Sequence, residues 1–365
     1  MRRGMILALL LALLALPVQA VDVLQQEREI LGVDALQQQL PETAREAMQR
    51  YSPGVYQDLG TALLDLIRWA GSLSVGALRT AVQTAAMLLS AVMLCRLVQQ
   101  AHTDDRLHLY ALTGALALTL IFAAGMKSMS ALAVQTLDEM QTYAKLLLPV
   151  ISGAAAACGA VTGAGALYMG SSLFFGFLTA ASQSLILPLV YAYLGLAAIE
   201  CGLQDGRLAA MRQLLGWCVT ALLKGVMYVF TAYLSLTGLL SGSSDEAAVN
   251  AAKSTLSAAI PVVGSIVSDA SEAVVSSAKL LRASAGTFGF LAVLAIVLAP
   301  FLKITVCYLV MKLTTAIAGL FGAKPHTALL GAQTTAMGYL LGLVGCASVM
   351  LLFSLCCFLK VAGGG

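Results

Sequence analysis

Residues 288–310, Phe-Gly-Phe-Leu-Ala-Val-Leu-Ala-Ile-Val-Leu-Ala-Pro-Phe-Leu-Lys-Ile-Thr-Val-Cys-Tyr-Leu-Val, decide the fold class. A hydrocarbon core of about 30 Å needs about 20 apolar residues in helical form. This run supplies them, with Pro300 and Lys303 as its interruptions. The same signal recurs on both sides. Residues 334–359 form the last apolar run, followed by a short Gly tail. Upstream lie 217–240 carrying Lys224, 173–199 with Pro188 as an expected kink, 107–124, and 77–97 with Arg79 near one end. An Ala- and Gly-rich run at 146–168, with Pro149 near its start, is either a seventh span or re-entrant, and its weak hydrophobicity favours the second.

Composition agrees. Only 11% of the 365 residues are charged and 59% are hydrophobic, with a mean hydropathy of +0.88. A soluble domain carries about 25% charged residues. These values exclude a disordered chain, a nucleic-acid binder and an ordinary cytosolic enzyme. The net charge of +3 is spread along the chain and implies no polyanionic partner. The expected fold is all-α: a polytopic membrane protein of about six or seven transmembrane helices, with amphipathic interfacial helices, after a cleavable signal peptide.

Residues 1–20 read as that signal peptide: Arg2 and Arg3, an apolar run from 5 to 16, then Pro17-Val-Gln-Ala20 with small residues at −3 and −1 of a cleavage site. Cleavage after Ala20 would leave the new N-terminus on the outer side. Polar sequence follows at once. Residues 21–76 form an extracytoplasmic region in which 22–54 is polar and helical, broken by Pro41 and by Ser52-Pro-Gly54. From Val55 the stripe Val55, Leu59, Leu63, Leu66 and Ala70, with Asp58, Asp65 and Arg68 off it, predicts a helix in the membrane interface. The remaining divisions are an N-terminal transmembrane bundle at 77–240, an amphipathic non-spanning segment at 241–285 and a C-terminal transmembrane region at 286–365. The stretch 126–145 reads as an amphipathic connector and 314–331 as a broken amphipathic piece with Lys324-Pro-His326. Lysines and arginines of the short loops divide equally between the two sides for either arrangement of 146–168, so the positive-inside rule does not choose. The re-entrant arrangement puts 241–285 on the same side as the N-terminal region.

Few residues carry chemistry. No phosphate loop or HExxH sequence occurs, and His102, His108 and His326 do not cluster in sequence. No enzyme activity and no cofactor are expected. The eight cysteines fall in or beside apolar runs, where they act as small hydrophobes, and no metal site is expected. Lys224 and Lys303 are cations within spans. Such a charge faces a cavity or a partner, unless it reaches the interface along its own stem, and both lysines sit near enough to a span end for that. Glu200 reads as a helix-end charge beside a polar loop. Gly159/Gly163 and Gly338/Gly342 have the spacing that lets helices approach closely, within one subunit or between subunits.

Residues 260–281 are more specific. Ile260, Val263, Val267, Ala270, Val274, Ala278 and Leu281 repeat at helical spacing, and Ser265, Ser268, Asp269, Glu272, Ser276 and Lys279 lie mostly opposite. That is an amphipathic helix with a Ser-rich polar face. It either connects spans along the interface or lines an aqueous path or partner, and in the second case Asp269 and Glu272 carry the role.

Residues 259–276, Ala-Ile-Pro-Val-Val-Gly-Ser-Ile-Val-Ser-Asp-Ala-Ser-Glu-Ala-Val-Val-Ser, resemble the signature stretch of the stage III sporulation protein AE family. So do Lys279-Leu-Leu, Gly286, Gly289, Pro300-Phe-Leu-Lys303 and Lys324-Pro325. The resemblance implies a multi-pass subunit of the channel, or feeding tube, that joins mother cell and forespore after engulfment. It implies residence in the mother-cell membrane around the forespore. It also implies partnership with other membrane subunits, ring-forming subunits and a secretion-type ATPase, with homo-oligomers among the assemblies. The lipid bilayer is the remaining partner, and nucleic acid is not one. The contrasting reading is a stand-alone secondary transporter for a small solute. Pro188 and Pro300 sit in roughly corresponding spans, but no internal repeat supports that reading.

Overall fold

The computed structural model describes the backbone of residues 40–42, 44–46, 59–101, 107–157, 161–203, 206–259, 264–321 and 324–361. Its side-chain description leaves out 235–259 and 264–290, together with several helix ends. The signal peptide and most of the polar region up to residue 58 lie outside it. The described residues are almost entirely helical and contain no strand. We label the helices α1 (Leu59–Ala101), α2 (Leu107–Ala157), α3 (Val161–Ala181), α4 (Leu187–Leu203), α5 (Gly206–Ala259), α6 (Gly264–Leu320) and α7 (Lys324–Val361).

Six helical stretches among the described residues are long and apolar enough to cross a membrane: Asp65–Val98, Leu112–Gly153, Ala164–Leu203, Arg207–Leu234, Leu291–Leu320 and Lys324–Cys357. The expected helical class and the lower of the two expected span counts therefore hold. Several elements that read separately in sequence are continuous. The amphipathic stripe from residue 55 and the span at 77–97 merge into α1 from Leu59, and the span at 107–124 and the connector at 126–145 merge into α2. At about 1.5 Å per residue, the 54 residues of α5 run roughly 80 Å, far more than one bilayer core.

The run at 146–168 is not one helix. α2 ends at Ala157 and α3 starts at Val161. From there α2 and the α3–α4 arm pair antiparallel. Leu112 lies against Gly202. The Ser130 and Tyr191 hydroxyls are 2.6 Å apart, and Gln183 Nε2 donates to Asp138 Oδ1 at 3.1 Å. Gln141 lies against Gly176. The run is thus divided between the end of α2 and the start of α3, the two arms of a hairpin, and is not a helix of its own.

Between α3 and α4 the helix widens into a π-turn at Ser182–Ile186. Pro188 is the cause: its ring crowds the carbonyl four residues back and it offers no N–H, so the ladder must open just before it. Ser184 Oγ donates to the Ala180 carbonyl at 2.8 Å and Ser182 Oγ to Thr179 at 2.6 Å, which satisfies carbonyls at the disturbed turn. Phe321 N–H donates to the Ala318 carbonyl at 3.1 Å and closes α6. Pro325 then sits at the start of α7, where its missing N–H costs nothing. The broken piece expected at 314–331 is this helix–turn–helix.

α7 is the central post. It touches α2, α3, α4, α5 and α6, and its Leu340, Leu343, Val344 and Ala347 are fully buried. α6 packs most extensively on α7 and α1. Where α3 crosses α5, glycine is required: a methyl on Gly170 would overlap the Tyr233 ring, whose hydroxyl donates to the Ala166 carbonyl at 2.9 Å. Phe174 meets Phe230 edge-on beside it, at 5.7 Å between centroids. The boundaries expected at 240/241 and 285/286 fall inside α5 and α6, so the 241–285 segment is the far end of one helix and the beginning of the next.

Candidate functional site

Three polar features stand out in an otherwise apolar bundle. The first ties α4, α5 and α7 together. Arg212 Nε donates to Glu200 Oε2 at 2.7 Å, with both side chains about a fifth exposed (19% and 22%). Arg212 Nη1 also donates to the Tyr193 hydroxyl at 3.1 Å, and the guanidinium lies over the Tyr193 ring. Tyr193 in turn meets Tyr339 of α7 edge-on. Gly216 makes room for the Tyr339 hydroxyl, which a β-carbon there would strike. Glu200 is therefore not the solvated helix-end charge its sequence position suggests. The weak signal for the pair is an acid and a base twelve residues apart near the facing ends of consecutive helices, α4 ending at Leu203 and α5 starting at Gly206.

The second feature is the outer face of α2. Its large exposed apolar side chains are Leu112, Leu116 and Leu120. Beyond Leu120 the exposed, described positions of α2 hold only Ala, Gly, Ser, Gln, Asp, Thr, Lys and Pro. Gln135 Nε2 donates to Glu139 Oε1 at 2.8 Å along this face. A cavity of about 730 Å³ lies between it and the segment carrying Leu40, Pro41 and Arg45. The connector expected at 126–145 is this polar segment, in a helix that also crosses the membrane.

The third is Lys224 on α5. It is exposed and lines a recess of about 360 Å³ with Tyr228, Gly338, Tyr339, Gly342 and Cys346. The glycine pair of α7 does receive close neighbours: Gly338 lies against Tyr308 of α6, and Gly342 against Leu223 of α5. Lys303 is half-buried on α6. Neither lysine forms an ion pair among the described residues. Asp269 and Glu272 lie on the helical backbone of α6, and their side chains are outside the described residues. The structure thus joins Lys224 to the Gly338/Gly342 face. His326 is fully buried at the start of α7, packed on Gly114, and neither of its ring nitrogens finds a hydrogen-bond partner among the described residues.

No group of three or more His, Cys, Asp or Glu among the described residues has the arrangement of a metal site. What the described residues hold is a set of long apolar helices, a partly buried ion pair and a polar outer face on α2. The profile of the stage III sporulation protein AE family matches residues 61–362, nearly the whole helical bundle. The chain belongs to that family. A curated relative, "Stage III sporulation protein AE" of Bacillus subtilis (strain 168), is 21% identical over 223 residues. The match covers 61% of this chain and 56% of the relative. No solved structure matches. All the elements of this stage III sporulation protein AE family member that carry the three polar features lie within the matched residues, except the segment around Leu40.

Proposed function

We propose that this chain is an integral membrane subunit of the channel complex between mother cell and forespore, needed for sporulation after engulfment. The observation that carries the reading is membership of a sporulation family by a chain with six long apolar helices. The subunit resides in the mother-cell membrane around the forespore. It assembles there with other membrane subunits, with ring-forming subunits and with a secretion-type ATPase. It contributes membrane passage or scaffold rather than catalysis. Lys224, Lys303, Asp269 and Glu272 serve as contacts to partners or to water within that assembly.

An affinity-tagged copy expressed at its native level in sporulating cells tests this. It is expected to co-purify with other membrane proteins and an ATPase. Deletion is expected to spare vegetative growth and septation and to stop spore maturation after engulfment. Purification as a single species, with a growth defect cured by one added nutrient, would instead identify a stand-alone transporter.

A further inference from the structure

The outer surface of the bundle differs in kind around its circumference at one and the same depth. The hairpin register fixes that depth: Asp138 is bonded to Gln183, and Gln141 lies against Gly176. The α2 stretch from Asp138 to Lys145 therefore runs beside the α3 stretch that carries Leu173 and Phe177. At that level α3 exposes Met169 (62%), Leu173 (68%) and Phe177 (53%). These are side chains suited to lipid. Over the same depth α2 exposes Asp138, Thr142 and Lys145, and just above them Lys127, Ala131 and Gln135. A charged side chain at the bilayer centre costs about 2.5–3.5 kcal/mol on insertion scales, so intramembrane charges face cavities or partners rather than acyl chains.

We propose that the outer face of α2 from Lys127 to Lys145 lines a water-filled passage through the membrane, while α3 holds the lipid-facing side. The passage admits water and small hydrophilic solutes, and other subunits close it. Both signs of charge on the face suit a hydrated wall of no strong ion preference. The cavity of about 730 Å³ on this face is one described piece of that wall, roofed in part by the chain around Leu40 and Arg45. This inference rests on reading the chain as a membrane channel subunit and says which of its surfaces is the wet one.

The test uses single cysteines at Gln135, Asp138, Thr142, Leu173 and Phe177 in full-length protein whose eight native cysteines are replaced. Membranes from sporulating cells are treated with a membrane-impermeant maleimide, and complementation of sporulation verifies each variant. If the cysteine-free parent does not complement, the same substitutions are made in the native background and read peptide by peptide by mass spectrometry. The expected result is labelling of the three α2 positions and loss of labelling at Leu173→Cys and Phe177→Cys, with all five reacting after detergent solubilisation. Labelling of all five in membranes would place this depth outside the bilayer and overturn the proposal. Labelling of none would mean that protein covers the α2 face, and would overturn it equally. Co-purification from the same cells reports on complex membership separately, so either failure is distinguishable from failure of the channel-subunit reading.

Discussion

At the scale of single residues, the Glu200–Arg212 pair is the feature with the largest expected consequence. Two opposite charges at 2.7 Å, each about a fifth exposed, have left most of their water behind. Removing one partner of a buried pair costs about 3–5 kcal/mol because the other charge is stranded, whereas replacing both with apolar residues is often neutral. Partial exposure puts this pair at the low end of that range. Arg212→Met is therefore expected to lose roughly 3 kcal/mol of stability, seen as a lower melting temperature in detergent and a lower protein level in membranes. The double variant Arg212→Met with Glu200→Leu is expected to recover most of that loss. Equal destabilisation by single and double variants would mean that the pair contributes through the Tyr193 and Tyr339 contacts of Arg212 rather than through charge. Glu200 was legible as a charge and as a helix end. Its partner was not, because only the pairing of α4 with α5 brings residues twelve positions apart together.

At the scale of elements, the continuity of α6 changes what the 260–281 segment can do. From Gly264 to Leu320 the backbone is one helix, so the segment carrying Asp269 and Glu272 extends directly from the apolar stretch Leu291–Leu320. A helix in that position transmits any load on its polar face to the bundle. Asp269→Asn combined with Glu272→Gln is expected to leave protein level unchanged, since exposed surface changes usually stay within about 0.5 kcal/mol. It is expected to abolish sporulation if the polar face meets water or a partner, as we propose. Wild-type spore counts from that variant would reduce the segment to a connector. The boundaries of elements were the least legible part of the sequence. Proline marked the π-turn before Pro188 and the start of α7 correctly, because proline acts through local backbone geometry. Pro149 and Pro300 sit inside α2 and α6 without ending them, because packing against neighbouring helices outweighs the local penalty.

At the scale of the whole molecule, helix directions follow from the register. α1, the α3–α4 arm and α6 run one way, and α2, α5 and α7 run the other. This puts the ends of α1, α4 and α6 and the starts of α2, α5 and α7 at one end of the bundle. The start of α1, the α2–α3 hairpin end, the end of α5 and the start of α6 lie toward the opposite end. The orientation in the cell then depends on the N-terminus alone. We propose removal of a signal peptide after Ala20, which leaves the start of α1 outside. N-terminal sequencing of the mature protein is expected to begin at Val21, and Ala20→Trp is expected to retain a longer product in the membrane. A wild-type chain that still begins at Met1 would remove the basis for this orientation.

The sequence by itself determined the helical class, the membrane environment, six of the apolar runs and the family, because each of these depends on composition or on short contiguous patterns. Only the tertiary structure decided that 146–168 is a hairpin end, that Glu200 meets Arg212, and that α2 turns a polar face outward where α3 turns leucine and phenylalanine. The physical reason is common to all three. In a membrane bundle both the packed face and the lipid face of a helix are apolar, so periodicity no longer tells inside from outside as it does for a surface helix in water. Which face is wet is then fixed by which helices pair and in what register.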